Sequence, residues 1–145
     1  GVCNVRVGHL QRMEMYQTVR PHYIQIERHP LRTCTEEIAF CGERGIKIQA
    51  YSPLGRMNPL LKESPLLNSL RIKYGKNNVG QIILRWHRQT GSIPVFTSSN
   101  PMRIASNLDV DDFQLDKEEV ELINRMNRNY KIFLESTGCP GYENW

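Results

Sequence analysis

The sequence predicts an α/β fold with a parallel sheet, because short strand patterns alternate with helical patterns along most of the chain. Two of these strands are especially clear. Ile24 and Ile26 alternate with polar residues before Pro30, and residues 46–51 show the same alternation before Pro53. Both strands therefore end in turns that carry polar side chains, at the edge of a sheet where ligands usually bind.

Capping residues predict where the helices begin. A first helix, ending before Pro21, would bury Leu10, Met13 and either Tyr16 or Val19 on one face. Later helices are predicted to begin at residues that cap helices well, namely Thr33 with Glu36, Ser64, Asn78, Asn100, and Asp116 with Glu119.

Bulk properties narrow the classes of protein that this chain can belong to. Its 145 residues and net charge of +4 suit one ordinary domain, and the basic residues are dispersed rather than grouped into a nucleic-acid-binding patch. No apolar stretch reaches membrane-spanning length. The four cysteines lack close C-x-x-C pairing and no signal segment opens the chain, so we expect a cytoplasmic protein with reduced thiols.

The histidines do not predict a metal site, because none has a second ligand at metal-binding helical spacing. His29, in line with Glu27, is expected to orient the turn at Pro30. Glu27 needs a buried partner if it faces the inside of the sheet. Arg28, Lys47 and a backbone donor all remain open as that partner.

Four segments, in order and at matching spacing, resemble successive landmarks of the aldo-keto reductases. They are Gly1-Val2-Cys3-Asn4, Gln25-Ile26-Glu27-Arg28-His29-Pro30, Tyr51-Ser52-Pro53-Leu54-Gly55 and Asn100-Pro101-Met102-Arg103-Ile104-Ala105-Ser106-Asn107-Leu108. The resemblance extends from residue 1 to about Asn129. It implies a TIM-type (β/α)8 barrel that reduces aldehydes or ketones by hydride transfer from a nicotinamide cofactor.

In that family these landmarks belong to the second half of the barrel, so the resemblance implies a C-terminal half, from the end of strand five to strand eight and the following helices. Residues 1–129 would form barrel strands and helices, and residues 130–145 a tail. The family's catalytic aspartate, tyrosine, lysine and histidine lie on early strands and map onto no residue here. A complete barrel needs about 250 residues. We therefore expect an inactive fragment whose partner is the missing N-terminal half-barrel.

The resemblance also assigns the nicotinamide site. Asn4 and Gln25 would hold the carboxamide, because an amide offers both a donor and an acceptor, and Tyr51 would stack on the ring. Cys3 would lie beside them where the family usually has serine, and Ile24 stands where asparagine is usual. Each of these two departures removes a polar contact near the nicotinamide.

The rest of the cofactor would bind along two further segments. Ser52, Leu54 and Gly55 would receive the pyrophosphate, and a strand over residues 92–97 would lead into a second phosphate loop containing Ser98. By resemblance Arg103 faces the ribose 2′-phosphate and Asn107 the adenine. The family lysine after the proline of that strand is absent, so NADP is favoured while NAD stays open.

Three alternatives accompany this reading. The chain could be a non-catalytic dinucleotide-binding regulatory protein on the same barrel, or a half-barrel that pairs with itself as a homodimer. For the tail, the resemblance implies a loop that closes over a small carbonyl substrate. Packing of Tyr142 or Trp145 on the outside of the barrel is an equal alternative.

Overall fold

The computed structural model describes residues 1–133, which form one sheet of four parallel strands with helices between them. The strands stand in chain order, and each pairs only with its neighbours in that order. The predicted α/β class with a parallel sheet is confirmed. The strands are β1 (Val2–Cys3), β2 (Tyr23–Glu27), β3 (Lys47–Tyr51) and β4 (Ser92–Val95).

Seven α-helices connect and flank these strands within residues 1–133. A short 3-10 turn, Gly55–Met57, precedes the third helix, and neither of these two elements was predicted. The helices are α1 (Val7–Glu14), α2 (Thr35–Glu43), α3 (Pro59–Lys62), α4 (Pro65–Lys73), α5 (Val79–Gln89), α6 (Pro101–Leu108) and α7 (Lys117–Asn124).

Four of the predicted caps are confirmed by side-chain hydrogen bonds to the first turn of a helix. Ser64 Oγ accepts from the Leu67 N–H at 3.3 Å at the start of α4. The other three caps are Asn78 on α5, Asn100 on α6, and Asp116 in a capping box with Glu119 on α7. These bonds satisfy donors that the helix itself cannot pair.

Two predictions about the early helices are wrong. Cys34, not Thr33, caps α2, with a left-handed φ of 50° and no side-chain cap bond. Thr33 Oγ1 lies 3.1 Å from Thr35 Oγ1, so its hydroxyl is engaged away from the helix N–H groups. Helix α1 ends at Glu14, which leaves Tyr16 79% exposed and Val19 72% exposed instead of buried.

Two apolar clusters hold the helices in place. One lies between α1, α2 and one face of the sheet and consists of Leu10, Ile24, Ile26, Phe40, Cys41, Ile46 and Ile48. The other lies around α4, α5 and α7 and consists of Leu31, Leu61, Leu67, Leu70, Val79, Ile82, Ile83, Trp86, Leu115 and Ile123. Burying these side chains supplies most of the driving force for the fold.

The opposite face of the sheet is open in this chain. The strand register aligns Cys3, Gln25, Gln49 and Ile93 across all four strands on that face. Tyr23, Ile93 and Val95 are 42–45% exposed. None of the described helices is long and apolar enough to cross a membrane.

Candidate functional site

The rim where β1 and β3 end brings Asn4 and Tyr51 into direct contact. Asn4 follows β1 with a positive φ of 52°, a conformation that asparagine tolerates better than most residues. Its N–H donates to the Gln25 carbonyl on β2 at 2.9 Å. The Tyr51 hydroxyl donates to Asn4 Oδ1 at 2.9 Å. Strand pairing and a side-chain bond therefore fix both residues.

Gln25 lies on the strand between them, and its side chain is on the open face. Its Nε2 donates to Gln49 Oε1 at 3.0 Å. Cys3 is exposed and is the register partner of Gln25 on β1. The structure thus brings four of the sequence-predicted residues, Cys3, Asn4, Gln25 and Tyr51, to one face or rim of the sheet.

A tight turn follows β3 directly and contains three more predicted residues. Ser52 has a φ of 47°. Leu54 has right-handed angles (φ −91°, ψ 10°), and Gly55 follows with a φ of 56°. A right-handed residue followed by a left-handed one can turn successive N–H groups toward one anion. Here the Gly55 N–H donates to the Ser52 carbonyl at 2.8 Å, and among residues 1–133 no acceptor takes the Leu54 N–H, so Leu54 provides the open donor. A Cβ on Gly55 would lie 2.5 Å from the Leu61 side chain, and the left-handed φ disfavours other residues, so both features favour glycine here.

The buried carboxylate of Glu27 anchors the last described segment of the chain beside this rim. It accepts from the Ile132 N–H at 2.7 Å and the Phe133 N–H at 3.2 Å, and it lies 3.0 Å from His29 Nε2. Burial raises the pKa of Glu27, but the bonds from His29 and the two N–H groups outweigh it and hold the pKa below its usual value. Of the partners that the sequence left open, the backbone donor is confirmed.

His29 and Phe133, the two neighbours of Glu27, make further contacts around the rim. His29 lies in the turn after β2, where its N–H and carbonyl exchange hydrogen bonds with Arg32, as expected of a residue that orients that turn. The Phe133 ring meets the Tyr51 ring edge-on at 5.7 Å, and the Arg56 guanidinium lies 4.6 Å from the Phe133 ring centre. The segment that ends at Phe133 therefore lies close to the rim. Residues 134–145 of the predicted tail, with Tyr142 and Trp145, lie outside the described residues.

The remaining predicted residues follow β4, the strand next to Tyr51. Val95 is the register partner of Tyr51, so residues 96–100 leave the sheet at the same edge as the Tyr51 turn. Ser98 Oγ accepts from the Asn100 N–H at 3.2 Å and shapes the entry to α6. Arg103 and Asn107 lie one helical turn apart on α6, with Arg103 exposed and Asn107 half-buried.

Sequence reasoning missed the buried pair of Arg28 and His87, whose side chains meet at 3.1 Å although 59 residues separate them. A basic residue directly after a buried strand was the one available signal. Burial raises the pKa of Cys34 and of Cys41 to about 11, so both thiols stay protonated and unreactive at neutral pH. Within residues 1–133 no group of three His, Cys, Asp or Glu side chains is arranged to hold a metal.

Comparison with known proteins gives a family match and close fold neighbours. A model of the aldo/keto reductase family matches residues 1–128. The aldo-keto reductase AKR2E4 of Bombyx mori is 39% identical, with 100% of this chain and 49% of the relative covered. Aldo-keto reductase family 1 member A1 of Homo sapiens is 35% identical, with 97% and 46% covered. The chain therefore spans about half the length of the curated relatives it matches.

Solved structures agree with these relatives. The crystal structure of Bombyx mori AKR2E4 in complex with NADP superposes with a TM-score of 0.88 at 38% identity, covering 94% of this chain and 47% of that one. A mutant of Gox0644 in complex with NADPH gives a TM-score of 0.81 at 32% identity, covering 88% and 46%.

One expectation from the sequence is corrected by these matches. The chain was expected to be the C-terminal half of the family, and that assignment is wrong. The family model matches residues 1–128, the N-terminal region of this chain, and a relative aligns across the full length. The match therefore describes the chain as a whole and not as a C-terminal half.

Proposed function

Because this chain belongs to the aldo/keto reductase family, we propose that the protein containing it reduces an aldehyde or ketone with NADPH, and that this chain supplies the cofactor-binding rim. The contact between Tyr51 and Asn4 carries the proposal. It joins the ends of two strands that are not neighbours, directly before a turn suited to phosphate. NADP and NADPH in the two solved neighbours support the choice of cofactor.

The residues present fit a dinucleotide. In the turn entered from Ser52, the Leu54 N–H would serve as a backbone donor for a pyrophosphate, because the Gly55 N–H already donates to the Ser52 carbonyl. Asn4 and Gln25 provide amide groups for the carboxamide, and Tyr51 provides an aromatic wall. When bound, the cofactor supplies a hydride to the substrate carbonyl carbon.

The residues of this chain would act by orientation. Asn4 and Gln25 would fix the rotation of the nicotinamide ring, and Tyr51, itself held by Asn4, would fix its depth. Arg103 would pair with a 2′-phosphate and Asn107 would bond the adenine, with Ser98 shaping the loop between them. Cys3, on the same face as Gln25, would line the nicotinamide end.

The acid and base of the reaction would come from residues outside this chain, so the chain alone is predicted to be inactive. Within residues 1–133, Lys73 and Tyr74 both bond the Glu119 carboxylate, but Lys73 ends α4, Tyr74 caps it and Glu119 lies on α7, so the group is away from the rim. Burial and the bond to Glu119 raise the pKa of Tyr74, which makes it a poorer proton donor.

The open face of the sheet supports closure by further strands of a (β/α)8 barrel. Tyr23, Ile93 and Val95 leave large apolar groups half-exposed there, and β1 and β4 present unpaired edges within the described residues. A second copy of this chain could cover the same face. Sedimentation of the intact protein distinguishes barrel closure from self-pairing, because a closed barrel predicts a monomer and self-pairing predicts a dimer.

The experiment is titration of the intact protein with NADPH, followed by tyrosine or tryptophan fluorescence, for the wild type and for Tyr51→Ala. We expect the substitution to weaken NADPH binding about tenfold, the loss of one aromatic contact and one hydrogen bond. Tyr23→Ala, at the other end of the open face, is the matched control and should bind like the wild type.

Activity toward a generic aldehyde then distinguishes the enzyme from the regulatory alternative. NADPH binding with aldehyde reduction supports the proposal, and binding without any reduction supports a non-catalytic dinucleotide-binding protein. Wild-type protein that does not bind NADPH contradicts both.

A further inference from the structure

Arg28 is a buried cation whose partners are all uncharged. It is 2% exposed and lies directly after β2, between the sheet and α5. Within residues 1–133 it forms no ion pair with a carboxylate. Its guanidinium donates to the Thr33 carbonyl at 2.9 Å, to His87 Nδ1 at 3.1 Å, to Ser92 Oγ at 2.7 Å and to Thr90 Oγ1 at 2.9 Å, and it stacks 4.1 Å from the Trp86 ring centre.

The His87 ring links Arg28 to the Pro53 carbonyl. Because a guanidinium can only donate, His87 Nδ1 must accept from Arg28, and the ring proton must lie on Nε2. His87 Nε2 lies 3.0 Å from the Pro53 carbonyl oxygen, so it donates there. Complete burial, with the Arg28 charge beside it, lowers the pKa of His87 well below its usual value and keeps the ring neutral.

The Pro53 carbonyl belongs to the turn that is proposed to hold pyrophosphate. In a planar trans peptide the carbonyl and the following N–H point in opposite directions. With the Pro53 carbonyl fixed toward His87, the Leu54 N–H must point away from the protein interior. No acceptor for this N–H is found among residues 1–133.

We propose that Arg28 and His87 are positioning residues, which hold the Pro53 carbonyl inward so that the Leu54 N–H faces the pyrophosphate of a bound dinucleotide. This inference rests on the proposed function. It explains why a charged side chain is kept in the interior among polar but uncharged partners, although burying a cation carries a desolvation cost. Neither residue touches the ligand, and both act through the turn.

The test compares two ligands that share the adenosine end of the cofactor. In the intact protein, His87→Leu removes the donor to Pro53. We expect affinity for NADPH to fall about tenfold, the effect of losing one oriented bond to a charged group. Affinity for adenosine 2′-monophosphate, which lacks the pyrophosphate, should be unchanged. Arg28→Met should act in the same direction.

Gln81→Met is the matched control. Gln81 is equally buried on α5 and loses bonds to the Asn77 N–H and the Asp109 carbonyl, neither of which belongs to the turn. This variant should leave both affinities unchanged. A His87→Leu protein that loses affinity for both ligands equally, or for neither, overturns the inference. Wild-type protein that binds neither ligand overturns the proposed function as well.

If the variants fold poorly, a measurement on the wild-type protein tests the positioning role of Arg28 and His87. Nitrogen-15 NMR should show neutral His87 with its proton on Nε2, and NADPH should shift the Leu54 amide resonance strongly. A proton on Nδ1, or a Leu54 amide that NADPH leaves unchanged while other amides move, contradicts the positioning role.

Discussion

The two faces of the sheet differ in what covers them. On one face Ile24, Ile26 and Ile48 are at most 3% exposed under α1 and α2. On the other face Ile93 and Val95 are more than 40% exposed, and their register partners on β3 are Gln49 and Tyr51. The first face is completed by this chain's own helices. The second carries polar and half-exposed apolar groups next to the rim.

This difference separates core residues from residues of the candidate site along the same strands. Side chains alternate between the faces, so each strand contributes to the core with one residue and to the candidate site with the next. Glu27 is the exception, because it is buried on the site side by the chain itself. Substitutions on successive residues should therefore have effects of different kinds.

The largest effect is expected on the covered face. Ile48→Ala removes a side chain that is 2% exposed and should lower the free energy of unfolding by about 2–5 kcal/mol, measured by urea denaturation. Gln49→Ala, the next residue on β3, should lower it by at most about 1.5 kcal/mol, because only the bond to Gln25 is lost. Equal losses of unfolding free energy in the two variants would contradict the view that only one face of the sheet forms the core.

Glu27→Gln should have the next largest effect. The charged carboxylate holds two backbone N–H groups, and its loss should cost about 1.5–3 kcal/mol at neutral pH. Because the folded pKa of Glu27 is lowered, its stabilisation is complete above the usual value of 4.5 and is lost as pH falls through the folded pKa. The difference between wild type and variant in urea denaturation should therefore shrink in acid.

Glu43→Gln provides the control for Glu27. Glu43 is 74% exposed and pairs with Arg44 at the surface, so its loss should change stability by less than about 0.5 kcal/mol. A Glu27 variant that matches this control at neutral pH would show that the segment at Phe133 needs no anchor.

Tyr51→Phe keeps the ring and removes only the hydroxyl bonded to Asn4. We expect about 1 kcal/mol weaker NADPH binding, roughly fivefold, because the hydrogen bond from Tyr51 to Asn4 is lost. Calorimetric titration of the intact protein measures this, with Tyr23→Phe as the control. Unchanged NADPH binding by Tyr51→Phe would show that the hydrogen bond between Tyr51 and Asn4 does not contribute to cofactor binding.

The smallest effect is expected for Cys3→Ser. Cys3 is exposed on the open face, so the free energy of unfolding should change by less than about 0.5 kcal/mol. Thermal unfolding of the intact protein tests this. A loss of more than about 1 kcal/mol would mean that this part of the open face is tightly covered.

Local sequence signals predicted much of the fold. The alternation around Ile24 and Ile48 indicated which face of each strand is buried, and Ser64 and Asn78 indicated helix starts. These signals succeeded because each depends on contacts within a few residues. The cap at Thr33 failed because its hydroxyl has an equally near competitor in Thr35.

The candidate site was predictable only in part. Asn4, Gln25 and Tyr51 were identified through the resemblance, and register explains why they share a rim. The distant partners of Glu27 and Arg28, namely Ile132 and His87, were not predictable, because they lie 105 and 59 residues away and no local pattern connects them. Such contacts depend on the packed sheet and helices.

Hydrogen–deuterium exchange of the intact protein with and without NADPH tests most directly whether the rim binds the cofactor. We predict slower amide exchange over residues 51–56 and 98–107 on binding, with the helix-covered residues of β2 unchanged. Protection confined to other regions, or unchanged exchange at the rim under saturating NADPH, would contradict the proposal that this chain supplies the cofactor-binding rim.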